Sequence, residues 1–336
     1  MNYYYGIKNL AFSGGGVLGI AYLGVLDYLY SNGLLQSVKR VAGTSAGAIT
    51  ACIVSFALPF KEMKNIADSL DYRKVPETNT HKNLKKIPSV LKNELERIIG
   101  DIDGIYRLTK DFGWYSSEYF YDWIKEQIEM QFDPNKKQPP YTFRDFKNKS
   151  IHKDEREFLD LYITGTDIST NSSRIFSYET TPDMEVAEAV RISMSIPLFF
   201  ESIRINKTID NEEQTHIFSD GGVMIMYPIN MFDSRIFNDI IIDGVNMQTL
   251  GIKFKSKYVY EEITNILDYI ENLVKSLMKV QQDLYKNNLV DVLRSIQIDT
   301  KEVSSTDFDI SQNDEKYKFL YQQGYNATKE YFKNKT

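Results

Sequence analysis

The sequence predicts an α/β fold of three layers, in which a mainly parallel central sheet lies between helices. Near the start of the chain, short apolar runs typical of buried strands alternate with apolar helical patterns, and the joins between them are tight. This alternation is typical of a parallel sheet that is covered on both faces. The 336 residues contain no internal repeat and no low-complexity linker, so we expect a single domain over residues 1–336.

The N-terminal elements follow one another in strand–helix order. "IKNLAFS" reads as a short buried strand that runs into Gly14, and a largely apolar helical pattern then ends at Gly33. "VKRVAG" reads as a second strand, and a nearly all-apolar helix follows it. The predicted elements are strands at 7–13 and 38–43 and helices at 17–32 and 46–58.

The middle and the end of the chain are less uniform. We expect a variable helical and basic insert at about 71–155, which contains a helix at 114–130 with Ser117 as a candidate cap. A C-terminal helical extension is expected from about 258, and its amphipathic helix at 260–286 is interpreted as core packing rather than as a membrane or partner surface. Between them we predict strands at 158–168, 174–179, 215–219 and 240–254, and a helix from about 183 that ends near Pro197.

The composition limits the classes of function. With 42% apolar and 26% charged residues, the chain resembles an ordinary globular protein, and its formal charge of −6 argues against a nucleic-acid partner. The lone Cys52 excludes an internal disulfide framework. We found no apolar run of 18 residues and no signal-peptide pattern at the start, so no membrane span is expected. We therefore predict a cytoplasmic protein that acts peripherally at membranes, and secretion as an effector is also compatible.

The stretch "GTSAG" at 43–47 is the candidate nucleophile turn. A serine nucleophile must project clear of the backbone, and a sharp strand-to-helix turn achieves this if its neighbours are small, as Gly43 and Gly47 are. The helix that begins at Ser45 would also direct its positive end at the reacting atoms. Thr44 and Ala46 complete this predicted elbow, and the alternative is a small-residue turn that packs against a helix.

The loop "SGGGVLG" at 13–19 allows two interpretations. Gly14, Gly16 and Gly19 fit the dinucleotide fingerprint, but Asp27, the only acid between Gly14 and Phe60, lies inside the first helix and cannot serve the ribose. No lysine follows the last glycine, so a phosphate loop of the Walker type also fails. The other use of such a loop is to direct backbone amides at a developing oxyanion, and the parallel sheet would place it beside Ser45.

A base is needed to activate the serine. The histidines are His81, His152 and His216, and none lies late enough for the triad order of α/β-hydrolases. His216 falls in a predicted strand, where a structural imidazole is expected. Asp220 ends a strand and is followed by Gly221 and Gly222, so its carboxylate could accept a proton from Ser45 directly. The alternative is that this aspartate only shapes a turn.

These motifs together resemble the patatin-like phospholipase family of bacterial and viral type. The resemblance rests on the glycine-rich loop, the G-T-S-A-G elbow and the late D-G-G, and it covers most of the chain. Further similar segments are "GWYSSEYFYDWI", "YTFRDF", the block 164–203 with its Ser-x-Pro at 195–197, and "SIQIDTKEVSSTDFDIS" with Gly324.

The resemblance implies a patatin-like fold and a Ser–Asp dyad, with Ser45 as nucleophile and Asp220 as base. It implies an oxyanion hole in the loop from Gly14 through Gly15 and Gly16 to Val17. The chain departs from the family pattern at two positions: Leu18 stands where the family usually has Arg or Lys, and Met226 replaces a common Asn. Such a loss of the Asn is expected to loosen the loop that holds the base.

The function that the sequence favours is hydrolysis of phospholipid or lysophospholipid acyl esters, with no metal and no other cofactor. Transient contact with a membrane surface is expected, and a protein activator is among the partners considered. The basic stretch 73–92, which carries Arg73, Lys74, Lys82, Lys85, Lys86 and Lys92 against the single acid Glu77, is interpreted as an interfacial lid or as a solvated insert. The rival functions are an inactive lipid-binding scaffold and a nucleotide-binding protein.

Overall fold

A computed structural model describes residues 6–78, 101–209, 212–255, 260, 262–264, 266–283 and 288–334. Within these ranges the centre of the molecule is an eight-stranded sheet in the order β12-β11-β1-β2-β4-β8-β7, with β5 paired to β4. The strands are β1 (Asn9–Phe12), β2 (Arg40–Gly43), β3 (Gly113–Tyr115), β4 (Asp160–Asp167), β5 (Ser172–Phe176), β6 (Leu198–Phe200), β7 (Ile203–Ile209), β8 (Glu212–Asp220), β9 (Ile241–Ile242), β10 (Val245–Asn246), β11 (Thr249–Phe254) and β12 (Ser295–Ile298).

The sheet is parallel in its larger part and antiparallel at one side. β12, β11, β1, β2 and β4 pair in parallel, whereas β5 and β8 run antiparallel to β4, and β7 runs antiparallel to β8. Parallel strands need crossover connections, and the α-helices supply them. The described helices are α1 (Ile20–Ser31), α2 (Ala46–Ser55), α3 (Phe60–Asp68), α4 (Ile102–Lys110), α5 (Glu118–Glu129), α6 (Phe143–Lys147), α7 (Val186–Met194), α8 (Ile266–Asp283), α9 (Leu289–Leu293) and α10 (Glu315–Lys333).

Both faces of the sheet are covered, because its strands alternate their side chains between two apolar clusters. Val41 of β2 and Leu161 of β4 belong to the large core. Their neighbours Ala42 and Tyr162 point to the opposite face, where they pack with Phe232 in a smaller cluster. The predicted fold class, an α/β fold with a mainly parallel central sheet between helices, is confirmed.

The predicted elements of the N-terminal half lie where the sequence placed them, within a few residues at each end. Ser117 precedes α5, but its hydroxyl accepts a hydrogen bond from Arg191 Nε at 2.8 Å and makes none to the helix backbone. The C-terminal region is less helical than predicted, since β12 joins the central sheet beside β11. The strand predicted at 240–254 is divided into β9, β10 and β11, and β3 lies where the predicted helix at 114–130 begins. β6 and β7 were not predicted.

The interpretation of the amphipathic helix at 260–286 as core packing is wrong for the side chains that can be described. Leu273, Leu277 and Val280 of α8 are 49%, 55% and 60% exposed. These residues lie on one side of the helix, at spacings of four and three residues, so the three side chains share an exposed surface. The apolar spacing predicted the helix correctly and did not predict which face is buried.

Candidate active site

Ser45 lies in the sharp turn between β2 and α2, with φ 53° and ψ −121°. A residue other than glycine rarely adopts a positive φ, because its Cβ crowds the backbone. A Cβ at Gly43 would lie 2.0 Å from the carbonyl oxygen of Gly47, and a Cβ at Gly47 would lie 2.3 Å from that of Phe12. The turn therefore requires the small residues that flank the serine in the sequence.

The strain in this turn leads to a stability prediction. Ser45→Gly and Ser45→Ala both remove the hydroxyl, but only glycine relieves the positive φ, so we expect Ser45→Gly to be the more stable variant by about 1 kcal/mol. Urea denaturation of both variants measures the difference. Ala48→Gly, within α2, is the control and should destabilise by about 1 kcal/mol. If Ser45→Gly has a lower free energy of unfolding than Ser45→Ala, by as much as Ala48→Gly loses, the turn at Ser45 is not strained.

Asp220 reaches Ser45 because β2 and β8 pair with adjacent parts of β4. The last residue of β2 lies opposite Ile163, and Asp220 lies opposite Gly165. The ends of the two strands meet around Thr164, whose hydroxyl lies 2.8 Å from that of Thr44. The arrangement of strands, and no local sequence feature, brings these distant segments together.

The end of α7 supports both residues. The backbone N–H of Ser45 donates to Ser193 Oγ at 2.9 Å. The carbonyl of Ser195 accepts from the backbone N–H of Asp220 at 2.8 Å and from Ser219 Oγ at 2.7 Å. Sequence reasoning assigned no site role to Ser193, and the Ser-x-Pro at 195–197 was noted only as part of a family resemblance.

The carboxyl of Asp220 is completely buried, and this burial raises its pKa to about 7. Hydrogen bonding from the Gly222 backbone N–H to Oδ1 at 2.6 Å, and the nearby Ser45 hydroxyl, act in the opposite direction. The Ser45 side chain is close enough to lower this pKa, and Oδ2 makes no other hydrogen bond among the described residues. One carboxylate oxygen is thus anchored, and the other is left to accept a proton.

The glycine-rich loop divides into bonded and unbonded amides. The Gly14 N–H donates to the Met226 carbonyl at 2.9 Å, and the Val17 N–H donates to the Ser305 carbonyl at 3.0 Å. The predicted oxyanion role of Gly14 and Val17 is therefore corrected, because their donors are already engaged. The amides of Gly15 and Gly16 have no acceptor in the described part of the chain.

The two departures from the family pattern are both accommodated. Met226 holds the base loop against the glycine loop through its main-chain carbonyl, a contact that does not depend on the side chain. The loosening expected at this position is therefore not seen, and the side chain is only 3% exposed. Leu18 packs in the large core.

An apolar pocket opens beside Ser45 and Gly16. Most of its lining side chains come from α2, α5, α7, β6 and the segment after α3, and nearly all are aliphatic or aromatic. They include Ile49, Leu70, Phe120, Met194, Ile196 and Phe200. Such a lining suits a hydrocarbon chain whose polar end lies at the serine.

The predicted lid lies mostly outside the described residues, including Lys82, Lys85, Lys86 and Lys92. At its start, Arg73 and Lys74 are exposed and form ion pairs with Asp71. Val75 is buried and lines the pocket. This part of the basic stretch therefore borders the site, and the lid interpretation stays a prediction.

The histidines that can be described have structural surroundings. His216 is buried, and its Nδ1 lies 2.8 Å from Asp167 Oδ2 within the sheet, in agreement with the structural role predicted for it. Both ring nitrogens of His152 lie within 3 Å of backbone carbonyl oxygens, those of Arg156 and Asp145. His81 lies outside the described residues. The described ranges contain no group of three or more His, Cys, Asp or Glu placed to hold a metal ion.

A serine and a buried carboxyl beside an apolar pocket, on an α/β fold, form an arrangement suited to a lipid hydrolase. Comparison with known families agrees. Residues 10–233 match the family described as patatin-like phospholipase, and the chain belongs to that family. No helix of the described residues is both long and apolar enough to cross a membrane.

Similar proteins include viral and bacterial members. Protein YqhO of Bacillus subtilis is 30% identical over 226 residues, which are 67% of this chain and 66% of that protein. The probable lipid hydrolase 463L of Invertebrate iridescent virus 6 is 25% identical over 228 residues, covering 67% of this chain and 62% of the relative. Family membership and such relatives support a lipid hydrolase.

Among solved structures, VipD of Legionella pneumophila superimposes with a TM-score of 0.55 at 20% identity. The match covers 98% of this chain and 67% of VipD. At this identity the similarity concerns the fold alone.

Proposed function

We propose that the protein hydrolyses fatty-acyl esters of phospholipids or lysophospholipids through a dyad of Ser45 and Asp220. The observation that carries the proposal is the unpartnered Oδ2 of the buried Asp220 carboxyl beside the Ser45 hydroxyl, at the end of an apolar pocket. An acyl chain in this pocket would place its ester carbonyl at the serine.

In the proposed reaction, Asp220 Oδ2 takes the Ser45 proton while Oγ attacks the ester carbonyl carbon. The tetrahedral intermediate collapses, the lipid alcohol leaves with the proton from Asp220, and an acyl-serine remains. Water then attacks the acyl carbon as it gives a proton to Asp220. The fatty acid departs and the proton returns to Ser45.

The pKa of about 7 is appropriate for this exchange of protons. A general base works best when its pKa lies near the operating pH, because it is then partly ionised and still basic enough to accept the proton. A surface aspartate, whose pKa lies near 4, would be fully ionised at neutral pH but far weaker as a base. The burial of Asp220 supports its assignment as the base.

The negative charge that develops on the carbonyl oxygen needs hydrogen-bond donors. We assign this role to the amides of Gly15 and Gly16, which have no acceptor in the described part of the chain. Removing one such donor typically costs roughly 2.7–4 kcal/mol of transition-state stabilisation. The amino end of α2 adds a favourable field at the same place. The proposal requires no metal and no cofactor.

The proposal includes transient contact between the protein and a membrane surface, since a phospholipid substrate resides there. A protein activator fits the same scheme, whereas nucleic acid is not proposed as a partner. The cytoplasmic location and the alternative of secretion as an effector remain predictions.

The experiment that tests the proposal combines lipid hydrolysis with labelling of the nucleophile. The purified protein is expected to release fatty acid from phosphatidylcholine vesicles or lysophosphatidylcholine micelles, and to react with an alkyl fluorophosphonate at one serine. Mass spectrometry should place the adduct on Ser45, and heat-denatured protein, the control, should remain unlabelled.

Each result has a defined meaning. Labelling of Ser45 without release from any phospholipid or lysophospholipid would retain a serine esterase and reject the lipid substrate. The absence of both labelling and release would favour the inactive scaffold. An adduct on a different serine would reject the dyad.

A further inference from the structure

The pocket beside Ser45 is completed by a segment that lies outside the family match at 10–233. We call residues 299–310, the first part of the connection between β12 and α10, the C-terminal strap. The strap crosses the site and contacts it at two points, through the backbone of Ser305 and through the side chain of Phe308.

The first contact fixes the position of the strap against the glycine-rich loop. The Ser305 carbonyl accepts from the Val17 N–H at 3.0 Å. Gly16 has φ +54°, and a Cβ at this residue would lie 2.0 Å from the same carbonyl oxygen. Strap and loop are therefore in close backbone contact directly beside the amides assigned to the oxyanion.

The second contact closes the pocket. Phe308 lines it together with Ser45, and its ring stacks on Phe199 at a centroid distance of 5.7 Å and meets Phe200 edge-on at 6.1 Å. Phe308 comes from a connection without regular structure, whereas Phe120 and Phe200 belong to α5 and β6. Its ring is a wall supplied by the strap.

The chain is also anchored after Phe308, which fixes the position of the Phe308 ring. Ile310 is completely buried, and Ser311, just beyond the strap, donates its backbone N–H to Asp314 Oδ2 at 2.6 Å. Gln312 and Tyr317 both hydrogen-bond Asp68 at the end of α3. The bonds to Asp68 hold the chain after Phe308, as the bond from Val17 holds it before Phe308.

The size of the pocket makes the position of this wall important. The volume is about 30 Å³, which is room for roughly two water molecules. The pocket is therefore narrow, and the length of acyl chain that it accepts depends on where its walls lie. Phe308 is the phenylalanine of the lining that lies outside the helices and strands.

We propose that Phe308 is a specificity-determining residue, which limits the length of the acyl chain that the pocket accepts. The identity of the ligand as an acyl chain rests on the proposed function. A smaller side chain at this position deepens the pocket towards the strap, and a larger one shortens it.

The test compares acyl-chain preference across variants at this position. With p-nitrophenyl esters of 2 to 14 carbons, Phe308→Ala is expected to move the optimum to longer chains, and the ratio of kcat/KM for long to short esters should rise about tenfold or more. Phe308→Trp should lower that ratio. Phe237→Ala is the matched control, because this half-buried aromatic packs on Arg40 and Phe232 against the other face of the sheet.

A binding experiment separates this inference from the proposed function. In the Ser45→Ala background, calorimetry with saturated fatty acids of 4 to 14 carbons should show that Phe308→Ala extends the longest acid that binds. If no ester or lipid is hydrolysed but Phe308→Ala still extends the longest fatty acid that binds, the proposed function is wrong and Phe308 still limits the chain length. Chain-length profiles and binding limits that coincide for wild type, Phe308→Ala and Phe308→Trp would overturn the inference, whatever the activity.

Discussion

Replacing Ser45 with Ala is expected to reduce fatty-acid release by about a millionfold, the scale of loss seen when a catalytic serine is removed. The substitution removes the attacking oxygen and keeps the Cβ, so the strained turn between β2 and α2 stays as it is. The backbone N–H of Ser45 retains its bond to Ser193 Oγ, because that contact does not involve the hydroxyl. The variant should therefore fold normally and lose only the chemistry.

The matched control is Ser55→Ala, at the other end of α2. Ser55 is also completely buried, and its hydroxyl donates to the Cys52 carbonyl at 2.6 Å, away from the pocket. This variant should lose some stability and keep its activity within a few-fold. Fatty-acid release and fluorophosphonate labelling measure both variants. Release by Ser45→Ala within tenfold of wild type would exclude this serine as the nucleophile.

The parts of the site that the sequence predicted have local causes. Gly43 and Gly47 are small because the backbone of the turn leaves no room for a Cβ, and this constraint is visible in five consecutive residues. The apolar strand pattern before Ser45 and the apolar helical pattern after it predict the same turn. Asp220 was predicted from its position at the end of a strand, ahead of two glycines.

The parts that the sequence did not predict depend on contacts between distant segments. The Val17 amide looked like a free donor, but its acceptor is Ser305, which lies beyond the last strand of the sheet in the chain. The pocket wall at Phe308 arises in the same way. For Leu273 and Leu277, the spacing shows that they share a helix face, but whether that face is buried depends on what packs there.

Replacing Asp220 with Asn is expected to reduce kcat/KM by about a hundredfold to ten-thousandfold, the usual contribution of a general base. Asn has nearly the same shape, and its carbonyl oxygen can still accept from the Gly222 N–H, so the loop should persist. In the wild type, the base must be ionised, and kcat/KM should therefore rise with pH through about pH 7, where Asp220 titrates. A wild-type profile that is flat from pH 5 to pH 8 would contradict the assignment.

The same pKa makes a prediction about stability with a definite sign. Burial raises the pKa of Asp220 from 3.8 in the unfolded chain to about 7 in the folded protein, so the folded state binds this proton more tightly. The stability that the group contributes is present below pH 4 and is lost as pH rises from about 4 through 7. Asn does not titrate, and Asp220→Asn should thus gain stability relative to wild type by a few kcal/mol between pH 4 and pH 8.

Asp167→Asn is the control with the opposite expected sign. Burial acts to raise the pKa of Asp167, but hydrogen bonds from His216, Thr170 and Arg174 outweigh it and hold the pKa below its usual range. This carboxylate stabilises the fold above its unfolded pKa of 3.8, so its replacement should destabilise the protein by a nearly constant amount from about pH 5 to pH 8. Urea denaturation of the three proteins from pH 4 to pH 8 measures both effects. A free energy of unfolding for Asp220→Asn that stays below that of wild type across this range, as expected for Asp167→Asn, would show that Asp220 is not a buried base of raised pKa.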